Sequence, residues 1–347
     1  MKKIIVSPNE AGQRMDKLLA KYLKSAPKGF FYKMLRKKNI TLNGKKALGN
    51  EKLTAGDEIC MFLADATIEK FGGGARELDP SVQKALDEKF SLPILYEDSH
   101  ILLLDKPSGM LSQKSAPKDV SLNEYMIAYL LEGGQLSCEE MESFRPSVCN
   151  RLDRNTSGIV TAGKSLAALQ QLGSMLHDRT LKKYYLTVVS GDVKEPRKIR
   201  GFLIKDEKTN TAAIKEGNGS ASGVSGGQKI ETEYVPLAGN GQITLLKVHL
   251  ITGRTHQIRA HLASEGYPIV GDPKYGVPGV NAYYCRKYRI HAQLLHAWKM
   301  EFPKCQGALQ GISDRTVTAP LPGRILDVIK GESIWGHGIP EVFEDQH

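Results

Sequence analysis

Asn150-Arg151-Leu152-Asp153-Arg154-Asn155-Thr156-Ser157-Gly158 is a polar loop, and Ile159-Val160-Thr161-Ala162 follows it directly as a short apolar run. The run has the length and β-branched content of a buried strand, which places the loop at a strand end. Working outward, residues 165–176 carry a helical period. Residues 184–189, 230–235 and 243–250 read as strands. Upstream, residues 94–96, a Glu97-Asp98 turn and the run 101–104 read as two more strands, ending at the turn Lys106-Pro107-Ser108-Gly109. Ser121-Leu122-Asn123-Glu124 has capping-box spacing, and Leu122, Tyr125, Met126, Tyr129 and Leu130 continue it at helical period. Strands dominate without regular βαβ alternation. The expected class is therefore α+β, with a mixed, largely antiparallel sheet flanked by helices and loops.

Three segments carry residues suited to chemistry. Asp153, flanked by Arg151 and Arg154 and followed by hydroxyl groups, would be kept ionised and is a candidate nucleophile or base. The alternative is a turn-forming Asp paired to an arginine. In Thr252-Gly253-Arg254-Thr255-His256-Gln257-Ile258-Arg259-Ala260-His261, a tight turn feeds a helix. His256 and His261 are five apart, which turns them away from each other and removes the i, i+4 pairing of a helical zinc site. Arg254 and Arg259 near that helix N-terminus suit a phosphate or a partner carboxylate. In Lys182-Lys183-Tyr184-Tyr185, the two tyrosines face opposite sides of a strand, so that one can stack on a base while the other packs the core; the alternative is that both pack.

The 347 residues leave room for two domains, and the 41% hydrophobic and 25% charged content is that of a globular protein. No run approaches 18 apolar residues and the N-terminus lacks a signal-peptide core, which disfavours membrane insertion and secretion. Five cysteines, an odd number with no C-x-x-C pair, fit a reducing compartment and argue against a structural zinc site. A cytoplasmic protein is expected. The net charge of +10 is unevenly placed: residues 1–65 hold 14 Lys and Arg against 6 Asp and Glu, the rest 34 against 32. That asymmetry points to a polyanion-binding unit on a near-neutral body. In the unit, Met15, Leu18, Leu19, Tyr22 and Leu23 form one helical face. A second helix sets Phe30, Phe31, Met34 and Leu35 against Lys33, Arg36, Lys37 and Lys38. Ile40 and Leu42, an Asn43-Gly44 turn with Lys45 and Lys46 beyond it, and residues 59–63 complete a small sheet. Residues 66–91, with a helical turn pattern around Val82 to Phe90, read as a linker and 217–227, rich in Gly and Ser, as a flexible loop. The second domain is expected over 92–330, with a tail at 331–347.

The first unit resembles the S-four-type RNA-binding module of ribosomal and RNA-modifying proteins. The second resembles the RluA/RluC/RluD family of pseudouridine synthases. This second resemblance rests on Arg151-Leu152-Asp153-x-x-Thr156-Ser157-Gly158, Lys183-x-Tyr185, the segment from Thr252 to His261, and Gly271-Asp272-Pro273-x-Tyr275-Gly276, in the family's order across about residues 92–305. Lys106-Pro107-Ser108-Gly109 and Leu295-His296-Ala297 support it. The resemblance implies that Asp153 is the catalytic aspartate, Tyr185 the active-site tyrosine, and Arg254 the arginine that pairs with the aspartate. It also implies a reaction with no cofactor or metal, in which a uridine is flipped out of the RNA and its base rejoined to the sugar through carbon. Arg151, Arg154, Lys33, Arg36, Lys37, Lys38, Lys45, Lys46 and Arg259 are the expected RNA contacts. Large-subunit ribosomal RNA is the expected substrate and a monomer the expected state.

Two positions depart from the family pattern. Asn150 stands where most members have histidine before Arg-Leu-Asp, and Gln113 where many have histidine after the Lys-Pro turn. Two other function classes compete. A catalytically silent ribosome-assembly factor predicts a damaged triplet, whereas Asp153, Tyr185 and Arg254 are present. A metal-dependent nuclease needs clustered carboxylates or histidines, whose spacing is absent. The isomerase acting on tRNA is a further alternative.

Overall fold

The computed structural model describes residues 1–72, 78–206, 211–215 and 227–334. The basic N-terminal unit folds as β1 (Lys2–Ile5), α1 (Met15–Tyr22), α2 (Lys28–Arg36), β2 (Ile40–Leu42), β3 (Lys45–Lys46) and β4 (Glu58–Met61). Its antiparallel sheet runs in the order β1-β4-β2-β3. The apolar stripes that the helical period singled out meet there: Met15, Leu18, Leu19, Phe31 and Leu35 pack with Ile40, Ile59 and Met61. Asn43 and Gly44 both take positive φ, 49° and 72°, which is the two-residue turn that matches the twist of a β2–β3 hairpin. Lys33, Arg36, Lys37, Lys38, Lys45 and Lys46 are all exposed.

The stretch expected as a linker is helical. α3 (Asp65–Gly72) sets Ile68 and Phe71 against the N-terminal core, and α4 (Pro80–Glu88) starts at Asp79, whose side chain accepts from the Ser81 backbone N–H. Val82 of α4 is fully buried in the main core of the body, with α4 against α5 (Leu122–Glu132). Residues 80–91 therefore belong to the second domain. The sequence shows a helical turn pattern around Val82 to Phe90, and the structure makes it a nine-residue helix that buries Val82 and Ala85.

The body is built on one large sheet. Its strands are β5 (Ile94–Glu97), β6 (Ile101–Lys106), β7 (Ser147–Val148), β8 (Ser157–Gly163), β9 (Lys182–Ser190), β10 (Arg197–Asp206), β11 (Thr211–Lys215), β12 (Gln228–Gly239), β13 (Ile243–Leu250), β14 (Leu295–Glu301) and β15 (Thr316–Thr318). The order is β11-β10-β12-β13-β9-β14-β8-β6-β5, with β15 on β14 and β7 on β8. Among the described residues every pair is antiparallel except β14 with β8. The fold is thus α+β with a mixed, largely antiparallel sheet. Among the described residues the helices of the body are α4, α5 with its Ser121/Glu124 capping box, α6 (Glu140–Ser143), α7 (Leu166–His177), α8 (Gln257–Ser264), α9 (Pro278–Tyr288) and α10 (Gly323–Gly331).

The parallel pair is what places the Asp153 loop. Gly158 has φ +106°, and a β-carbon there would lie 2.2 Å from the Ala297 carbonyl oxygen. Only glycine lets β8 approach β14 at the point where the loop becomes a strand. The glycine- and serine-rich stretch 217–227 lies, apart from Gly227, outside the described residues. Of the expected tail, Gly331 closes α10 and Ile334 is buried in the core beside it, so the domain runs past residue 330. Residues 335–347 lie outside the described residues.

Candidate active site

Asp153 sits on the loop between β7 and β8, its side chain a quarter exposed. The loop is held from several sides. Thr156 N–H donates to the Asp153 carbonyl at 3.0 Å, closing the turn. From the turn after β6, Gly109 N–H and Lys106 Nζ donate to the Arg154 carbonyl (2.9 and 3.0 Å), and Ser108 Oγ donates to the Asn155 carbonyl (2.8 Å). Lys106 is fully buried and also donates to the carbonyls of Pro107 and Met110, so three acceptors surround its ammonium. Burial pulls that ammonium down to about 7 against the attraction of Asp153 and Asp105. Asn150, the departure from the family pattern, ties the loop to its own strand. Its Oδ1 accepts from Thr161 N–H (2.7 Å) and Thr161 Oγ (2.9 Å), and its Nδ2 donates to the Ile159 carbonyl (3.3 Å). Gln113 lines the pocket.

The arginine paired with Asp153 is Arg259, not Arg254. Arg259 Nη1 donates to Asp153 Oδ2 at 2.8 Å. The reason is the turn: His256 adopts a left-handed φ of 55° at the start of α8, so the first helical turn points Arg259 back under the loop. Arg254 lies before the turn and is exposed, with its backbone N–H donating to Gln257 Oε1 (3.1 Å). The same geometry corrects the expectation that Arg259 contacts RNA. Its side chain is buried, and its remaining donors go to Asp272 in a fork, Nε to Oδ2 (2.7 Å) and Nη2 to Oδ1 (2.9 Å). Asp272 is fully buried and also accepts from the Lys274 and Tyr275 N–H groups. Burial opposes its ionisation, but the Arg259 bonds outweigh burial and hold the carboxyl below its usual range. The same bonds raise Arg259 further, so it stays a permanent cation shared between Asp272 and Asp153.

The two tyrosines divide as alternation requires. Tyr185 is buried on the inner face beside Asp153; burial, reinforced by that carboxylate, pushes its phenol well up, so it stays protonated. Tyr184 points the other way, stacked on His249 with ring centroids 4.9 Å apart. His256 Nε2 lies 3.8 Å from Asp153 Oδ2, and its Nδ1 lies 3.2 Å from the Tyr275 hydroxyl. Burial lowers the imidazole, against the pull of Asp153.

Asp153, Tyr185, His256 and Arg259 line a pocket of about 940 Å³. Arg151, Arg154 and Arg254 are exposed on its wall, and Asp153 is the one acidic residue among the described residues lining it. Among the described residues no three His, Cys, Asp or Glu side chains gather closely enough to hold a metal ion. None of the described helices is long and apolar enough to cross a membrane. Asp272 is the site residue that the sequence reading quoted without a role. An arginine buried in a short helix between Ile258 and Ala260 needs such a partner.

A carboxylate paired with a buried arginine in a pocket walled by exposed arginines suits work on a polyanion, and the relatives say which. Residues 100–264 match the family described as RNA pseudouridylate synthase. Over 297 residues the chain is 31% identical to the ribosomal large subunit pseudouridine synthase C of Vibrio vulnificus (strain CMCP6), covering 86% of this chain and 87% of that protein. It is also 31% identical to the enzyme of the same name from Escherichia coli (strain K12), over 80% of each. The fold is similar to human RNA pseudouridylate synthase domain containing 4, with a TM-score of 0.56 at 18% identity, over 74% of this chain and 98% of that one. The chain belongs to the RNA pseudouridylate synthase family. It is an isomerase that converts uridine in RNA to pseudouridine, as the resemblance to the RluA/RluC/RluD enzymes implied.

Proposed function

We propose that the protein modifies uridines of large-subunit ribosomal RNA in the cytoplasm, acting as a monomer, with Asp153 as the catalytic carboxylate. The observation that carries the assignment of Asp153 is its place as the one acidic side chain, among the described residues, in a basic pocket, fixed by Arg259 and partly open to solvent. The substrate follows the relatives, whose names specify the ribosomal large subunit and which match over most of the chain. The reaction breaks the bond from the sugar to N1, turns the uracil and joins it through C5, releasing the C5 hydrogen. Asp153 serves as nucleophile or base in that exchange, and the hydrogen bond from Arg259 orients it. Tyr185 offers the flat face on which an extruded uracil stacks. Arg151, Arg154 and Arg254 supply contacts along the RNA backbone. Residues 1–65 act as an S-four-type RNA-binding module, through the exposed Lys33, Arg36, Lys37, Lys38, Lys45 and Lys46. The free cysteines support the cytoplasmic location. The test is tritium release from transcripts labelled at uridine C5. Release from large-subunit ribosomal RNA and not from tRNA supports the reading. Release from tRNA alone replaces it with the tRNA alternative, and no release from either favours a silent RNA-binding role.

A further inference from the structure

Lys183 precedes Tyr185 by two residues on β9, so the two side chains share one face of the strand and both line the pocket. They differ in how they are satisfied. Tyr185 is buried in the core, whereas the half-buried Lys183 ammonium has no hydrogen-bond or ion-pair partner among the described residues. Across the ladder Lys183 faces Met300, and the neighbouring Lys182, on the opposite face, is the lysine that takes Glu301. The charge that Lys183 does feel is that of another cation, Arg179; burial first, and then this repulsion, lower the ammonium from its ordinary range. Arg179 is exposed, lines the same pocket, and holds a left-handed φ of 62° just after α7, a conformation costly for a residue with a side chain. On another side the Lys183 Nζ lies 3.5 Å from where a β-carbon of Gly253 would sit, so the missing side chain leaves the ammonium uncovered.

The half-buried Lys183 faces a like charge and is paired to no carboxylate, Asp153 of the same pocket being taken by Arg259, so an arriving anion relieves it. The pocket is also at the upper end of the roughly 300–1,000 Å³ range of small-molecule sites, with room for more than one flipped base. We infer that Lys183 and Arg179 form an anion subsite that takes a backbone phosphate of the RNA beside the target uridine. The substrate strand is then held at two points, the base at Asp153 and Tyr185 and the phosphate at Lys183. This inference rests on the reading of the pocket as the RNA site.

The experiment measures binding of a fluorescein-labelled oligouridylate to the full-length protein by anisotropy over a potassium chloride series. Wild type, Lys183→Met and Lys183→Arg are compared, with their thermal midpoints. Lys183→Met is expected to weaken binding about tenfold and to lower the slope of log Kd against log salt by about 0.7, the share of one phosphate on a single strand. Lys183→Arg is expected to retain most of both. The midpoint of Lys183→Met should rise, because an unpaired charge leaves the interior; a lysine serving only the fold would lower it. Unchanged affinity and slope in Lys183→Met would overturn the subsite, as would a lowered midpoint with no rescue of binding by Lys183→Arg. Tritium release keeps the two readings apart. Lys183-dependent binding without release defeats only the functional proposal, and release with Lys183-independent binding defeats only the subsite.

Discussion

One guanidinium, that of Arg259, binds Asp153 through Nη1 at 2.8 Å and Asp272 through Nε and Nη2 at 2.7 and 2.9 Å. The fully buried Asp272 fixes the plane of the fork, and the fork in turn fixes a quarter-exposed carboxylate in the pocket. Gly271, at φ +81° and with the Ala292 carbonyl 2.3 Å from where its β-carbon would be, sets Asp272 in place.

Arg259→Lys keeps the charge and loses the fork, since an ammonium cannot present two parallel donors to Asp272 while reaching Asp153. The expected result is a fall in kcat/KM of at least about tenfold, with a stability loss on the order of 1–3 kcal/mol by denaturant melt. Wild-type kcat/KM in this variant would mean that Asp153 needs only a nearby positive charge.

Asp272→Asn tests the other end of the fork. The folded carboxyl lies below its ordinary value, so its contribution to stability is present above the unfolded value of about 4 and is lost as pH falls through the lower folded value. The variant should be less stable at neutral pH by about 3 kcal/mol, because Arg259 is left buried with half its partners. Its stability should then change less than that of wild type below about pH 4. A parallel acid limb in wild type and variant would remove Asp272 from the acid response.

A second pH window belongs to His296, which is fully buried with Nδ1 2.9 Å from Ser157 Oγ, directly beneath the catalytic loop. Burial lowers its imidazole to about 4. The unfolded chain, with an ordinary value near 6.5, takes up the proton first, so stability is full above about pH 6.5 and falls as pH drops toward 4. His296→Gln should flatten that decline by about 3 kcal/mol across the window, seen in urea melts at a series of pH values. His261, with Nδ1 2.8 Å from Thr232 Oγ and also lowered to about 4 by burial, adds a similar share and would remain.

Deletion of residues 1–72 removes the basic unit together with α3, whose Ile68 and Phe71 pack on it. Affinity for ribosomal RNA should fall at least about tenfold and the salt slope by several units, while the thermal transition of the body persists. Unchanged affinity and slope would refute the RNA-binding role of the unit.

Much of this was legible in the sequence where one face of an element is apolar. α1, α2, α5 and β8 lie where their periods place them, and the opposed faces of Tyr184 and Tyr185 follow from alternation alone. The Asp153 loop stood out because polar residues abut a buried strand. The pairing with Arg259 was not legible. Arg254 and Arg259 both stand near one helix start, and only the left-handed turn at His256 decides which reaches back. The helical pattern around Val82 to Phe90 is legible, but that α4 belongs to the body and not to a linker is not, because its apolar face is small and its burial depends on α5 lying against it, a contact between distant segments. The isolation of Lys183 was invisible for the same reason, since it depends on which side chains the sheet order brings alongside.

The most direct test of the account asks whether Asp153 is required for pseudouridine in large-subunit ribosomal RNA. Carbodiimide adducts mapped by primer extension, in cells deleted for this protein and complemented with wild type or Asp153→Ala, give the answer at single-nucleotide level. The account predicts stops in large-subunit RNA that vanish on deletion, return with wild type and stay absent with Asp153→Ala, while the variant binds RNA as wild type does. Stops restored by Asp153→Ala would contradict it.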